Sequence, residues 1–207
     1  MGRLNVAMVS RMDDASPVAG YVQALTGTLR EYCEVLTAAI PAGKQTPESY
    51  EELAVELNKA EVIHLQHFHR DWGGARPGES GFWTWRYLLV KPLVVTAHDT
   101  RSLNDLLRKQ RTDEGSGLGR IMSDAILARR SAHRDSVEIA PFVTGRCIVL
   151  TEQDRETLVD RGADPQFVHL IPPAESPEGW AEAARITAAV YSEAMLDKGR
   201  LGHHGGG

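Results

Sequence analysis

The chain has 207 residues, 42% hydrophobic and 25% charged, with a formal net charge of −5. That is the composition of a soluble globular domain, long enough to bury roughly 70% of its unfolded surface without cross-links. The acidic balance argues against a general nucleic-acid binder, whose footprint is basic. The two scattered cysteines, Cys33 and Cys147, give neither a disulfide framework nor a CxxC metal pair. No apolar run reaches the roughly 18 residues of a membrane span, and MGRLNVAMVS has too short an apolar run and no cleavage pattern for a signal peptide. A reducing cytoplasm, with no transmembrane segment, is the expected location.

Short runs rich in Val and Ile alternate with amphipathic stretches. Leu4–Ser10 reads as a buried strand, and Tyr21–Tyr32 as a helix with Val22, Leu25 and Leu29 at helical spacing. Glu34–Ile40 is a second strand. Pro47–Lys59 is a helix with Thr46 as its cap and proline at its first position. Glu61–Phe68 is a third strand, followed by a loop with Gly73, Gly74, Pro77 and Gly78, then a helix over Phe82–Leu89. Leu93–His98 is a fourth strand. Two helical stretches fall between Leu103 and Arg134, split at Gly115-Ser116-Gly117. Cys147–Thr151, Glu152–Arg161 and Phe167–Ile171 read as strand, helix and strand, with Gly162 ending the helix. Ala181–Leu196 is the last helix, and LGHHGGG is a disordered tail.

Strands alternating with helices predict right-handed βαβ units: an α/β fold with one Rossmann-like, doubly wound, mostly parallel sheet covered on both faces. The runs are continuously apolar, as strands buried on both sides should be. Ligands of such sheets sit outside the carboxyl ends of the strands, near the point where strand order reverses. That selects Ser10–Gly20, His67–Gly74, His98–Arg101, Glu152 and Pro172.

In the first of these loops, Ala19-Gly20 leads into a helix. Glycine there allows close backbone approach, and the helix start favours phosphate, but the pattern is neither GxGxxG nor a P-loop; a plain strand-to-helix turn fits equally. The third strand carries His64, His67 and His69. Alternation puts His67 and His69 on one side and His64 on the other, and makes His64 a hydrogen-bonded core residue. A zinc or iron site would join His67, His69, His98 and Asp99, although no HExxH is present. His98-Asp99, at the end of the fourth strand, suits holding a substrate hydroxyl or moving a proton near neutral pH; a polar turn with Asp99 capping the next helix is the alternative. No GxSxG elbow exists. The GFWTWRYLL cluster is core packing or a partner face more readily than a sugar platform.

"EVIHLQHF", "KPLVVTAHDT" and "CIVLTEQDRETLVDRGADPQFVHLIPPA", in this order, resemble the N-terminal half of family-4 glycosyltransferases of the GT-B fold, over about residues 3 to 174. The family patterns run roughly "vvHlHh", "p.V.T.Hd" and "i.vs....l...g....ki.vIPpGvD". Ala174 stands for the usual glycine of the last, and Ala19-Gly20 for the usual glycine pair of the first loop. "GWAEAARITAAVYSEAML" resembles the family's closing helix, which packs back on the first domain, while only Glu175–Gly179 stand where a second, donor-binding domain would be. The resemblance therefore implies a GT-B N-terminal domain over 1–174, a linker and closing helix of the same domain over 175–198, and a tail over 199–207. The family's E-x7-E pair belongs to the missing lobe; Glu48 and Glu56 share the spacing on an early helix by coincidence. By resemblance His98 is the active-site histidine and Gly20 the second glycine of the loop, and Asp99 joins His98 as a catalytic candidate from its place at the strand end. Ala19, His67, His69, Arg101 and Glu152 complete the expected substrate-binding set.

Three functions follow as expectations. The first is the acceptor-binding lobe of a nucleotide-sugar-dependent glycosyltransferase, of hexosyltransferase type. It would take a nucleotide-sugar as donor substrate, with no separate cofactor and no metal, and would depend on a donor-lobe partner or a homodimer for transfer to a small sugar acceptor. The second is a non-catalytic sugar-, nucleotide- or protein-binding regulatory protein derived from such an enzyme, with Trp83 and Trp85 as anchors. The third is a metal enzyme built on His67, His69 and His98.

Overall fold

A computed structural model describes residues 2–11, 18–40, 46–67, 81–98, 100 and 145–201. Each apolar run in these residues becomes a strand: β1 (Leu4–Ser10), β2 (Cys33–Ala39), β3 (Val62–His67), β4 (Leu93–Ala97), β5 (Arg146–Val149) and β6 (Val168–Leu170). The helices are α1 (Ala19–Leu29), α2 (Pro47–Leu57), α3 (Gly81–Leu88), α4 (Glu152–Asp160) and α5 (Pro177–Leu201), with a 3-10 turn at Pro165–Phe167 before β6. The two helices expected between Leu103 and Arg134, the loop over 73–78 and the tail beyond Leu201 lie outside the described residues.

All strand pairs are parallel, in the order β2-β1-β3-β4-β5-β6. The expected fold class is what the chain adopts: one doubly wound α/β sheet with helices on both faces. β3 and β4 are buried along their whole length and β5 over its last three residues, on both faces of the sheet. Val6, Met8, Val62, Val94 and Ile148 pack under α1 and α5. Their neighbours Ala7, Ile63, Leu65, Val95 and Val149 pack under α2, α3 and α4 through Tyr50, Leu57, Trp85 and Leu158. Winding reverses between β1 and β3, which opens the switch point at the carboxyl ends of these two strands.

Local signals set the helix ends. Thr46 and Ser49 form a reciprocal capping box at α2: Thr46 Oγ1 accepts from Ser49 N (3.3 Å), and Ser49 Oγ accepts from Thr46 N (3.1 Å). Thr151, expected as the end of a strand, caps α4 instead by accepting from Asp154 N. Gly162, at φ 101°, closes α4: its N–H donates to Val159 O and that of Ala163 donates to Leu158 O, while Ala163 and Leu158 are buried together. α5 begins four residues before its expected start because Ser176 Oγ accepts from Gly179 N with Pro177 in the first turn. It also runs on to Leu201, past the expected end of the ordered chain.

α5 packs against α1, β3 and β4, as the closing helix was expected to do. Its C-terminal half is held by Arg146, which ion-pairs with Asp197 (2.9 Å) and Glu193 (2.5 Å) and lies over the Phe167 ring, 5.1 Å from its centroid. Trp85 is fully buried in the core, so it is not available as the partner anchor expected of it; the side chain of Trp83 is outside the described residues. Both cysteines are buried and free. No helix among the described residues is long and apolar enough to cross a membrane.

Candidate functional site

The carboxyl end of β4 carries His98, on the same face of the sheet as Val94 and Thr96. Its Nε2 lies 2.8 Å from Gln66 Oε1. Gln66 is wholly buried on β3, and its amide nitrogen is 3.1 Å from Met8 Sδ and 3.1 Å from His64 Nε2. His64, also fully buried, is 2.7 Å from Thr96 Oγ1 through Nε2 and 2.6 Å from Tyr191 Oη through Nδ1. A continuous polar chain thus runs through the α1/α5 side of the core, from Tyr191 on α5 to His98 at the carboxyl end of β4. Strand register makes it: Met8 pairs with His64, and Gln66 with Thr96. Burial holds the His98 imidazole down to about 4, and burial together with the neighbouring His98 holds His64 down to about 3, so both are neutral at pH 7.

Tyr21, in the first turn of α1, packs edge-on against His98 (centroids 5.0 Å, 81° between planes) and against Trp180 (5.4 Å, 66°). Burial raises the Tyr21 hydroxyl well above its ordinary range, so it stays protonated. α1 starts after Val18 with no side-chain cap and no acidic residue in its first turn, leaving its first N–H groups without intrahelical acceptors. A Cβ built on Gly20 meets nothing within 4 Å among the described residues. Gly20 is the residue before Tyr21, whose ring covers His98, and Ala19 is two residues before it.

The other expected residues distribute differently. His67 is buried (3% exposed), with side-chain parity matching Ile63 and Leu65, on the α2/α3/α4 side. The backbone of His98 donates to His67 O at 3.2 Å, yet the two imidazoles leave the sheet on opposite faces. This corrects the grouping of His67 with His98 in one metal site; among the described residues no three His, Cys, Asp or Glu side chains could hold a metal. Glu152 is exposed at the start of α4, where it pairs with Arg155 (2.8 Å). His69, Asp99 and Arg101 lie outside the described residues.

Sequence reasoning passed over Asp154. Its carboxylate accepts from Thr100 Oγ1 and, at 2.6 Å, from Thr151 Oγ1, while Arg161 Nη1 donates to Thr100 O at 2.9 Å. α4 thus holds Thr100, two residues beyond His98. Gln66, Met8, Tyr21 and Tyr191 were also missed. Their positions alternate correctly along strand or helix, but what they meet depends on long-range register.

The arrangement defines a doubly wound α/β protein with a neutral, half-enclosed histidine beside its switch point. No protein-family model matches the chain, and no curated protein matches it. Among solved structures, one described as the structure of a flavodoxin from the domain Archaea is similar at a TM-score of 0.33 and 11% identity, over 91% of this chain and 98% of that one. That likeness says nothing about the site.

Proposed function

We propose that the chain is an acceptor-binding lobe of the glycosyltransferase type, which takes a nucleotide-sugar and a sugar acceptor and depends on a second lobe, from a partner or another copy, for transfer. The observation that carries this reading is His98: a neutral imidazole at the carboxyl end of β4, covered by Tyr21 from the first turn of α1, where no side chain caps the helix and no described atom lies within 4 Å of a Cβ built on Gly20. A neutral imidazole suits a hydroxyl, and an uncapped helix start suits a diphosphate. Transfer requires both reactants to be held in reacting geometry with water excluded. One open lobe supplies a single wall, which is why a second is part of the proposal.

Residues 171–176 lead straight from β6 into α5, leaving no room for a donor domain between them. That observation favours the second reading, a sugar- or nucleotide-binding protein without catalysis.

The test is a titration of the purified chain with UDP-, GDP-, ADP- and TDP-sugars and simple sugar acceptors, with His98→Ala and Gly20→Val alongside. Binding of one donor or acceptor that weakens at least tenfold in both variants, whose melting temperatures stay near that of the parent, supports the lobe. Turnover that is restored by a second chain and lost in His98→Ala separates it from the binding protein. Absence of binding to every donor and acceptor removes both.

A further inference from the structure

The polar chain beneath His98 contains several groups that can face either way. Hydroxyls rotate, neutral imidazoles exist as two tautomers, and a side-chain amide can turn end for end. A thioether sulfur cannot: it has lone pairs and no hydrogen to give. We propose that Met8 and Gln66 fix the tautomer of His98 with hydrogen on Nε2, leaving Nδ1 as its acceptor, so that His98 takes a hydroxyl or N–H group of a ligand and rejects a bare carbonyl or phosphate oxygen. The ligand clause rests on the reading of His98 as a binding residue; the tautomer does not.

The amide atom of Gln66 that lies 3.1 Å from Met8 Sδ is also 3.1 Å from His64 Nε2. An oxygen there would set lone pairs against the sulfur, whereas the NH2 group gives one hydrogen to the sulfur and the other to His64. His64 Nε2 therefore accepts, its one lone pair shared between the Gln66 N–H and the Thr96 hydroxyl at 2.7 Å, and His64 carries its own hydrogen on Nδ1, donated to Tyr191 Oη at 2.6 Å. At the other end of the amide, Gln66 Oε1 can only accept, so His98 Nε2, 2.8 Å away, must donate. A neutral imidazole carries one N–H, and burial keeps His98 neutral down to about pH 4. Its remaining lone pair is then on Nδ1. Gln66 is a positioning residue in this arrangement, and Met8 supplies the fixed polarity that orients it.

Two-bond 1H–15N correlation spectra of the full chain labelled with 15N-histidine, recorded at pH 7 without ligand, read the tautomers directly; spectra of His64→Gln and His98→Gln assign the rings. The expected result is hydrogen on Nε2 at His98 and on Nδ1 at His64. Met8→Leu keeps the volume of the side chain and removes the sulfur. It should convert both rings into mixtures of tautomers with little change in melting temperature. Hydrogen on Nδ1 of His98 in the parent chain overturns the proposal, and that measurement needs no variant to fold. Unmixed, parent-like tautomers in Met8→Leu overturn the role of the sulfur. A parent chain with the expected tautomers that binds no sugar or nucleotide would leave the tautomer assignment standing while removing the ligand clause and the proposed function.

Discussion

Replacing Tyr191 by phenylalanine removes one oxygen and keeps the ring, which packs edge-on against His64 at 5.4 Å and 72°. Both residues are wholly buried. The hydroxyl is the partner of His64 Nδ1 at 2.6 Å, so its loss leaves a buried imidazole N–H with nothing to bind and no water to replace it. Such an orphaned group costs about 1–3 kcal/mol. At about 2 kcal/mol, a chain of this size should melt roughly 4–8 °C lower. Urea denaturation of Tyr191→Phe, His64→Leu and the double variant tests the pairing. Once His64 is gone, the tyrosine hydroxyl has lost the same contact, so the double variant should be less unstable than the sum of the singles by about 0.5–3 kcal/mol. Additivity within about 0.3–0.5 kcal/mol would show that the two side chains do not depend on each other, and the account of the buried polar chain would fail.

Stability should fall in acid earlier than carboxylate protonation alone would give. Unfolded histidines protonate near 6.5, while folded His98 and His64 stay neutral to about 4 and about 3. The unfolded chain then binds more protons below pH 6.5, and each histidine removes roughly 1.4 kcal/mol per pH unit on the way down to its folded value. Denaturation curves with the same midpoint at pH 7, 6 and 5 would contradict neutral buried imidazoles. Gly145→Ala puts a Cβ 2.2 Å from Leu93 O on the neighbouring strand, so β4 and β5 must part; a loss of about 1–3 kcal/mol is expected in urea, and an unchanged midpoint would refute that close approach. Gly162→Ala forces a side chain into φ 101° and should cost about 1–2 kcal/mol, whereas Gly20→Ala, with no described atom within 4 Å of the new methyl, should cost nothing. Equal melting temperatures for these two variants would disprove the left-handed cap.

Much of the fold is legible because doubly buried parallel strands leave continuous apolar runs. VVTA and CIV lie within β4 and β5 with ends shifted by a residue or two. Shifts occur where one residue serves two neighbouring elements: Thr151 extends an apolar run in the sequence but caps α4 in space. The start of α5 was also written in the sequence, as Ser176 before Pro177, although Gly179 masks the helical pattern there. The site is less legible. His64 as a bonded core residue and His98 at a strand end follow from strand position alone. The company they keep does not: Met8, Gln66, Thr96 and Tyr191 meet through strand register and the docking of α5, and no short motif encodes either. Strand parity already separates His67 from His64, but it cannot say that His98, on another strand, shares the face of His64.

The partner of His64 lies 127 residues further along the chain. A chain made from its N-terminus builds β1, β3 and β4 long before Tyr191 exists. Until α5 docks, the imidazole beneath the strand ends has no lasting acceptor for its N–H, and the face of the sheet that α5 will cover stays wet. The order of synthesis therefore sets the order of maturation. The sheet, with Met8, Gln66 and His98, can form early, but His64 gains the partner of its Nδ1 only when the last helix closes over the core.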